Sequence, residues 1–499
     1  MPAKQLSVLL PLLLSSVVAA AEPEPAQLFQ QHCAACHGAD RLGLIGPALL
    51  PENLKRVRKK AAISSVTNGL PATQMPAFGE VLSKAEIAGL ADYIYTPLAE
   101  VPQWDEQAIK DSHVIYKPEW VTGDASTADP VYDADPLNVF LVVEAGDHHV
   151  SVLDGDTFEP IHRFKSRYAL HGGPKYTSDG RFVYFASRDG WVTKYDMYNL
   201  EVVAEVRAGI NARNVAVSGD DRYVLVGNYL PHTLVVLDAT DLSFVKTIPV
   251  TDEQGESSRV SAVYAAPPRQ SFIAALKDFK EVWEISYAPE TPLQVTRIEL
   301  DDYLDDFFFD QQYDHIMGAA RNAKNGQVFN LNSQQKAADL DLTGMPHLGS
   351  GITWPYQNTT VLATPNLKEH TVTFIDTQNW KTIKKIDTQG PGFFMRSHEN
   401  SPYAWVDVFV GPDKDVMHVI DKATLEIVKT LKPEPGKTSG HIEFTKDGRF
   451  ALLSIWEMDG AIIVYDAETL EEVKRLPMKK PVGKYNVHNK ITRSAGTSH

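Results

Sequence analysis

The chain has 499 residues, 43% of them hydrophobic and 22% charged, enough length and apolar content for more than one packed domain. Its 48 basic and 64 acidic side chains leave a formal net charge of −16, a balance that argues against nucleic acid as a partner.

At the N-terminus Lys4 precedes an apolar run from Leu6 to Ala20, and Ala19-Ala20-Ala21 stands before Glu22. The run is too short and wrongly flanked for a membrane anchor, so residues 1–21 are expected to be a signal peptide cleaved after Ala21. No other run is apolar enough to span a bilayer, and a soluble, periplasmic mature protein is expected. Export would permit a disulfide, but the spacing of the two cysteines points elsewhere. Cys33-Ala34-Ala35-Cys36-His37 is the C-x-x-C-H pattern of c-type haem attachment, in which two thiols bond the haem and the adjacent His37 reaches the iron. A redox dithiol would need a βαβ context that the surroundings lack. Residues 22–96 are therefore expected to form a small α-helical cytochrome c domain holding one covalent haem c. A helix over residues 26–32 leads into the site, and Ser83-Lys84-Ala85-Glu86 is a capping box that opens a helix to about Tyr95. Between them, Met75-Pro76-Ala77-Phe78-Gly79 offers Met75 as the second axial ligand, since thioether sulfur favours the reduced iron. His32 abuts Cys33 and is badly placed to compete. The basic run from Lys55 to Lys60 fits either a docking patch for an acidic redox partner or a solvated face.

Residues 97–136 are rich in Pro, Asp, Thr and aromatics with little periodicity, as in a linker ordered by Trp104 and Trp120 packing on the next domain. From residue 137 to 499 one unit recurs: an alternating apolar strand ending in Asp, a turn, then a returning strand. It appears at Asp154, Asp196, Asp238, Asp376, Asp421 and Asp466, with degenerate copies at Ser286 and Asn332. The spacing of 42 to 48 residues is that of a four-stranded propeller blade, so an all-β eight-bladed propeller is predicted. The segment from Gly483 to His488 could close the ring and remove its open edges.

Residues at one blade position must converge on one place in such a ring. His171, Arg213 and His441 each stand 25 residues before their anchors, Arg259 stands 27 before Ser286, His347 29 before Asp376 and His398 23 before Asp421. The position precedes the outer strands, which puts it on the innermost strand beside the channel. Imidazoles and guanidiniums ringing a channel suit a metal-centred anionic ligand, because imidazole ligates iron and Arg pairs bidentately with carboxylates.

A C-x-x-C-H domain followed by an eight-bladed propeller resembles the cytochrome cd1 family, whose propeller holds haem d1. The likeness runs from about Gln27 to Asn489. It is carried by Tyr168-Ala169-Leu170-His171, Ser178-Asp179-Gly180-Arg181, Ala212-Arg213-Asn214-Val215, Pro346-His347-Leu348-Gly349, Ser397-His398 and Gly483-Lys484-Tyr485-Asn486-Val487. The resemblance implies His171 as proximal iron ligand of haem d1, His347 and His398 as distal-pocket histidines, and Arg188, Arg213 and Arg259 as carboxylate-binding residues. Two activities occur in the family: reduction of nitrite to nitric oxide, and oxidation of a propionate of dihydro-haem d1 to an acrylate during haem d1 biosynthesis. Three departures from the reductase pattern favour the dehydrogenase. The segment before Cys33 is short, Gly172-Gly173-Pro174 follows His171, and Gly440-His441-Ile442-Glu443 has His where the reductases are expected to have Gln. Dehydrogenation needs a base, and His441 is the extra channel imidazole. His347 is then the sixth iron ligand or a pocket acid. The implied partners are the tetrapyrrole substrate, a soluble c-type cytochrome or similar electron acceptor, and nitrite reductase or other d1-biosynthesis proteins. Two further readings are a nitrite reductase in which His347 and His398 deliver protons, and a non-catalytic haem d1 carrier.

Overall fold

The repeated Asp is a turn-maker, and its turn explains the whole repeat. Asp238 Oδ1 accepts the N–H of Thr240 (2.7 Å), Asp376 that of Gln378 (2.8 Å), and Asp466 those of Glu468 and Thr469 (3.0 and 2.8 Å). Four residues past the anchors, Phe158, Leu200, Leu242, Trp380, Leu425 and Leu470 all have positive φ, between 56° and 65°. A left-handed residue costs about 1–2 kcal/mol, and burial of a Leu side chain, complete at Leu242 and Leu425, offsets a sum of that size. In the degenerate fifth blade the turn is made by Asn330, whose Oδ1 accepts from Asn332 and Ser333 (2.9 and 2.8 Å). The expected anchor Asn332 was thus two residues late, because Asn substitutes for Asp in the turn and Asn332 follows it closely.

The computed structural model describes residues 23–492 except Ile45, Arg56 and residues 71–74, 119–128 and 320–324, together with Ala495 and Gly496. The expected signal peptide and Trp120 lie outside the described residues. Eight antiparallel sheets form the propeller, seven of four strands and one of five. Blade 1 contains Val139–Glu144, His149–Asp154 and Pro160–Lys165, and its inner edge is supplied by the C-terminal strand Pro481–Asn486, with Phe140 opposite Asn486 and Leu141 opposite Tyr485. Blades 2 to 8 follow in chain order. Apolar clusters fill the spaces between neighbouring blades, as where Leu225, Leu234 and Val236 of blade 3 meet Val263, Phe272 and Ile285 of blade 4.

The N-terminal domain packs helices Pro25–His32, Ala34–His37, Lys59–Asn68 and Lys84–Ile94 around Leu28, Phe29, Ile87, Leu90 and Ile94. The capping box is formed in both directions: Ser83 N–H donates to Glu86 Oε2 (2.7 Å) and Glu86 N–H to Ser83 Oγ (3.2 Å). Residues 97–136 are more than a connector. They contain helix Glu106–Ser112 and strand Val114–Ile115, which adds a fifth strand to blade 2 with Val114 opposite Glu205. Arg207 joins the two domains. Its guanidinium donates to Leu42 O and Gly43 O of the helical domain and to Asp189 O of blade 2, and lies 4.5 Å from the Trp104 ring centre.

Candidate active site in the propeller channel

In the N-terminal domain Cys33 stands at the junction of helices Pro25–His32 and Ala34–His37, and Cys36 and His37 end the second. His37 is buried, and its Nδ1–H donates to Pro47 O (2.8 Å). A carbonyl only accepts, so the neutral ring keeps its lone pair on Nε2, the tautomer of an iron ligand. Burial, with Cys36 nearby, pushes the Cys33 thiol up to about 11. Redox dithiols lower a thiol instead, so the pair lacks the activated thiol of a disulfide-exchange site. Met75 lies in the loop between two helices, where its carbonyl accepts from Leu70 N–H (3.1 Å) and Phe78 N–H donates to Val66 O (2.9 Å). His32 packs edge-on against Phe78 at 5.9 Å. These residues fit a covalent haem c.

A cavity of about 640 Å³ occupies the propeller channel, within the range of cofactor and ligand pockets. Three of the expected histidines line it: His171, His347 and His441. His171 precedes the inner strand of blade 2, where Gly172 and Gly173 have φ of 84° and 69°. A Cβ at Gly172 would lie 2.7 Å from Asn214 Cβ, so only glycine lets this loop pass close to blade 3. His171 Nδ1–H donates to Arg213 O (2.8 Å), and Arg188 Nη2 and Arg213 Nη1 approach Nε2 at 2.7 and 2.9 Å. His347 repeats the pattern: Nδ1–H donates to Phe393 O at 2.7 Å, and Nε2 stands 3.9 Å from Asp306 Oδ2. Both imidazoles therefore keep an Nε2 lone pair, as iron ligation requires.

His441 is aimed by a β-bulge. Pairing of blade 8's inner strand Ser439–Phe444 jumps from Gly440 opposite Ser454 to Glu443 opposite Leu452, and His441 in the bulge has φ 53°. Bulges re-aim side chains, and this one sets the imidazole between Phe394 (4.7 Å) and Tyr485 (5.1 Å). Burial first, then Lys484, Arg396 and Lys490, hold its pKa well below 6.5, so the ring is neutral at neutral pH.

The other expected residues are placed differently. Arg213 lines the cavity, and Arg188 reaches His171 from the adjoining turn without forming part of the wall. Arg259 is not on the wall: it makes a bidentate ion pair with Asp278 (2.9 and 2.5 Å), beside the ring of Tyr229. His398 is also off the cavity. It is fully buried just past the inner strand Met395–Ser397, and its Nδ1 accepts from Asn400 N–H (3.1 Å). Two residues earlier, Arg396 lines the wall, and it stands 25 residues before Asp421, the offset shared by His171, Arg213 and His441. A strict offset would have selected it. Lys175 and Lys490 are further cavity cations that blade counting missed. Lys490 comes from the C-terminal helix Val487–Thr492, outside the repeat, and burial with repulsion from Lys175 and Arg396 holds its pKa well below 10.5. The cavity thus combines two iron-competent imidazoles, the aromatic faces of Phe393, Phe394, Phe409 and Trp456, and a surplus of cations. That set fits a planar, iron-centred, polyanionic tetrapyrrole.

Residues 134–490 match the family described as Cytochrome D1 heme domain, and residues 20–94 match Cytochrome C oxidase, cbb3-type, subunit III. The chain belongs to the cytochrome d1 haem-domain family. It is 56% identical over 488 residues to dihydro-heme d1 dehydrogenase of Pseudomonas aeruginosa, covering 98% of each chain. Nitrite reductase of Stutzerimonas stutzeri is 26% identical, covering 93% of this chain and 92% of its own, and Protein NirF of the same organism is 30% identical over 69% of this chain and 90% of its own. The solved structure titled dihydro-heme d1 dehydrogenase NirN in complex with DHE superposes with a TM-score of 0.90 at 57% identity, over 94% of this chain and all of that one.

Proposed function

We propose that this protein is a dihydro-haem d1 dehydrogenase of the periplasm, acting in haem d1 biosynthesis. The carrying observation is the bulge that sets neutral His441 in the wall of a cationic cavity, beside two imidazoles with Nε2 lone pairs. A substrate propionate, –CH2–CH2–COO⁻, becomes an acrylate, –CH=CH–COO⁻, with loss of two protons and two electrons. When bound, the haems supply one-electron acceptors, and haem c, held by Cys33, Cys36, His37 and Met75, opens the way to an external acceptor such as a soluble c-type cytochrome. His171 and His347 are the imidazoles that would hold the substrate iron. Arg213, Arg396, Lys175 and Lys490 receive the ring carboxylates. His441 takes one of the leaving protons, for which a neutral ring is the required state.

A nitrite reductase using paired His347 and His398 fits less well, because His398 is fully buried off the cavity wall, just past the inner strand. A carrier would have no use for the electron exit that the C-x-x-C-H motif provides. The test is single-turnover reaction of the oxidised protein with dihydro-haem d1, followed at the visible bands. Acrylate formation with release of product, and no fast nitrite turnover under reducing conditions, is expected. Retained haem d1 with fast nitrite turnover would assign the protein to the reductases.

A further inference from the structure

We propose that Asp407 is a positioning residue that ties His347 and His441 to one another across three blades. The inference rests on the dehydrogenase reading above, in which these imidazoles act on one substrate. Asp407 ends the second strand of blade 7, Tyr403–Asp407, and is fully buried. Its Oδ1 accepts the N–H groups of Phe393 (2.7 Å) and Phe394 (3.0 Å), in the loop entering blade 7. The carbonyl of that same Phe393 accepts Nδ1–H of His347, on the loop entering blade 6. The other oxygen, Oδ2, faces the backbone N–H of His441 in the bulge of blade 8, at 3.4 Å. One carboxylate thus holds the acceptor that fixes the tautomer and tilt of His347, and the backbone that aims His441.

The neighbouring sequence is fitted to this role. A Cβ on Gly440 would stand 3.0 Å from Asp407 Oδ2, so glycine lets the carboxylate reach the bulge. Phe394 packs on His441 at 4.7 Å and Phe393 on His347 at 4.1 Å, so the loop clamped by Asp407 also supplies the aromatic face against each imidazole. A buried carboxylate is costly, and burial raises this one to about 7. A fold-holding role alone would be served by a neutral side chain with one acceptor; two acceptor oxygens aimed at two different loops are what the double attachment needs.

Asp407→Asn keeps the shape but replaces one acceptor by an NH2 group, which meets an N–H donor on one side. Displacements near 1 Å at a reacting centre cost on the order of a hundredfold in rate. Single-turnover oxidation is expected to slow about ten- to a hundredfold in Asp407→Asn, with tetrapyrrole binding changed less than about threefold. The crystal structure of the variant, without added tetrapyrrole, should show the His441 bulge or the Phe393 loop displaced. Gly440→Ala, which crowds the carboxylate from the bulge side, should give the same split of rate from binding. His441→Gln is measured alongside. If His441→Gln turns over normally, the base reading fails. If His441→Gln is slow while folded Asp407→Asn and Gly440→Ala both match wild type in rate and loop position, the Asp407 proposal alone is overturned. Loss of rate that merely follows loss of folded protein in both variants would also overturn it.

Discussion

His441 carries the sharpest prediction at the scale of single residues. Replacing it by Gln or Ala should slow acrylate formation by roughly a hundred- to ten-thousandfold with substrate binding nearly intact, measured by single turnover beside a binding titration. Its depressed pKa gives a signed pH dependence. The free protein loses its base only when the ring protonates, so the acid limb of kcat/KM should fall at a pH well below 6.5, the ordinary imidazole value. Met75→Ala should abolish the weak sulfur-to-iron absorption band of oxidised haem c and lower its potential, read by redox titration. Motifs in which bonded neighbours act together, such as Cys33 to His37, were legible in the sequence because covalent spacing fixes them. Cavity membership was harder to read. The blade offset found His171, Arg213 and His441, but accepting offsets from 23 to 29 admitted His398, which lies just past the inner strand Met395–Ser397 and off the cavity, in place of Arg396.

At the scale of elements, the outer strands carry their own acid sensitivity. In blade 7 His418, on Met417–Asp421, is buried, its Nε2 accepting from Gln389 N–H (3.1 Å) and its Nδ1 within 3.0 Å of Thr430 Oγ1. Burial lowers its pKa from 6.5 to about 4. The unfolded chain therefore binds the proton more tightly. Stability from the neutral ring is full above pH 6.5 and is lost as pH falls toward 4, by about 3 kcal/mol at one unit per 1.36 kcal/mol. His418→Gln should flatten that loss in urea melts across this range, with little change at pH 8. The eight-blade repeat was legible because six blades share the same Asp turn, with Asn330 making it in the fifth. The bulge at His441 was not, because its signal is a positive φ at a residue that usually avoids one.

For the whole molecule, Arg207 is a polar hub of the contact between domains, alongside Asn53, whose Nδ2 donates to Ile210 O (3.1 Å). Arg207 bonds Asp189 O beside Arg188, which touches His171, and bonds Leu42 O and Gly43 O in the loop whose Gly43 N–H donates to His37 O (2.8 Å). Arg207→Leu removes at least three hydrogen bonds and the Trp104 contact, and should loosen the haem c domain. Faster proteolysis between residues 97 and 136, with tetrapyrrole binding to the propeller retained, is the expected result; unchanged cleavage kinetics would show that Leu50, Ile210 and Leu230 suffice to dock it.

The strand that closes the ring is synthesised after every other described strand of the propeller. The C-x-x-C-H motif lies hundreds of residues before Pro481–Asn486, so its segment leaves the ribosome first. Tyr485 and Lys490 reach the cavity only with that final segment. A chain cut short before Pro481 would keep the C-x-x-C-H domain but leave the inner edge of blade 1 unpaired and the cavity wall without Val482, Tyr485 and Lys490. The haem-attachment motif and a closed cavity wall therefore come together only in a chain that reaches through Lys490.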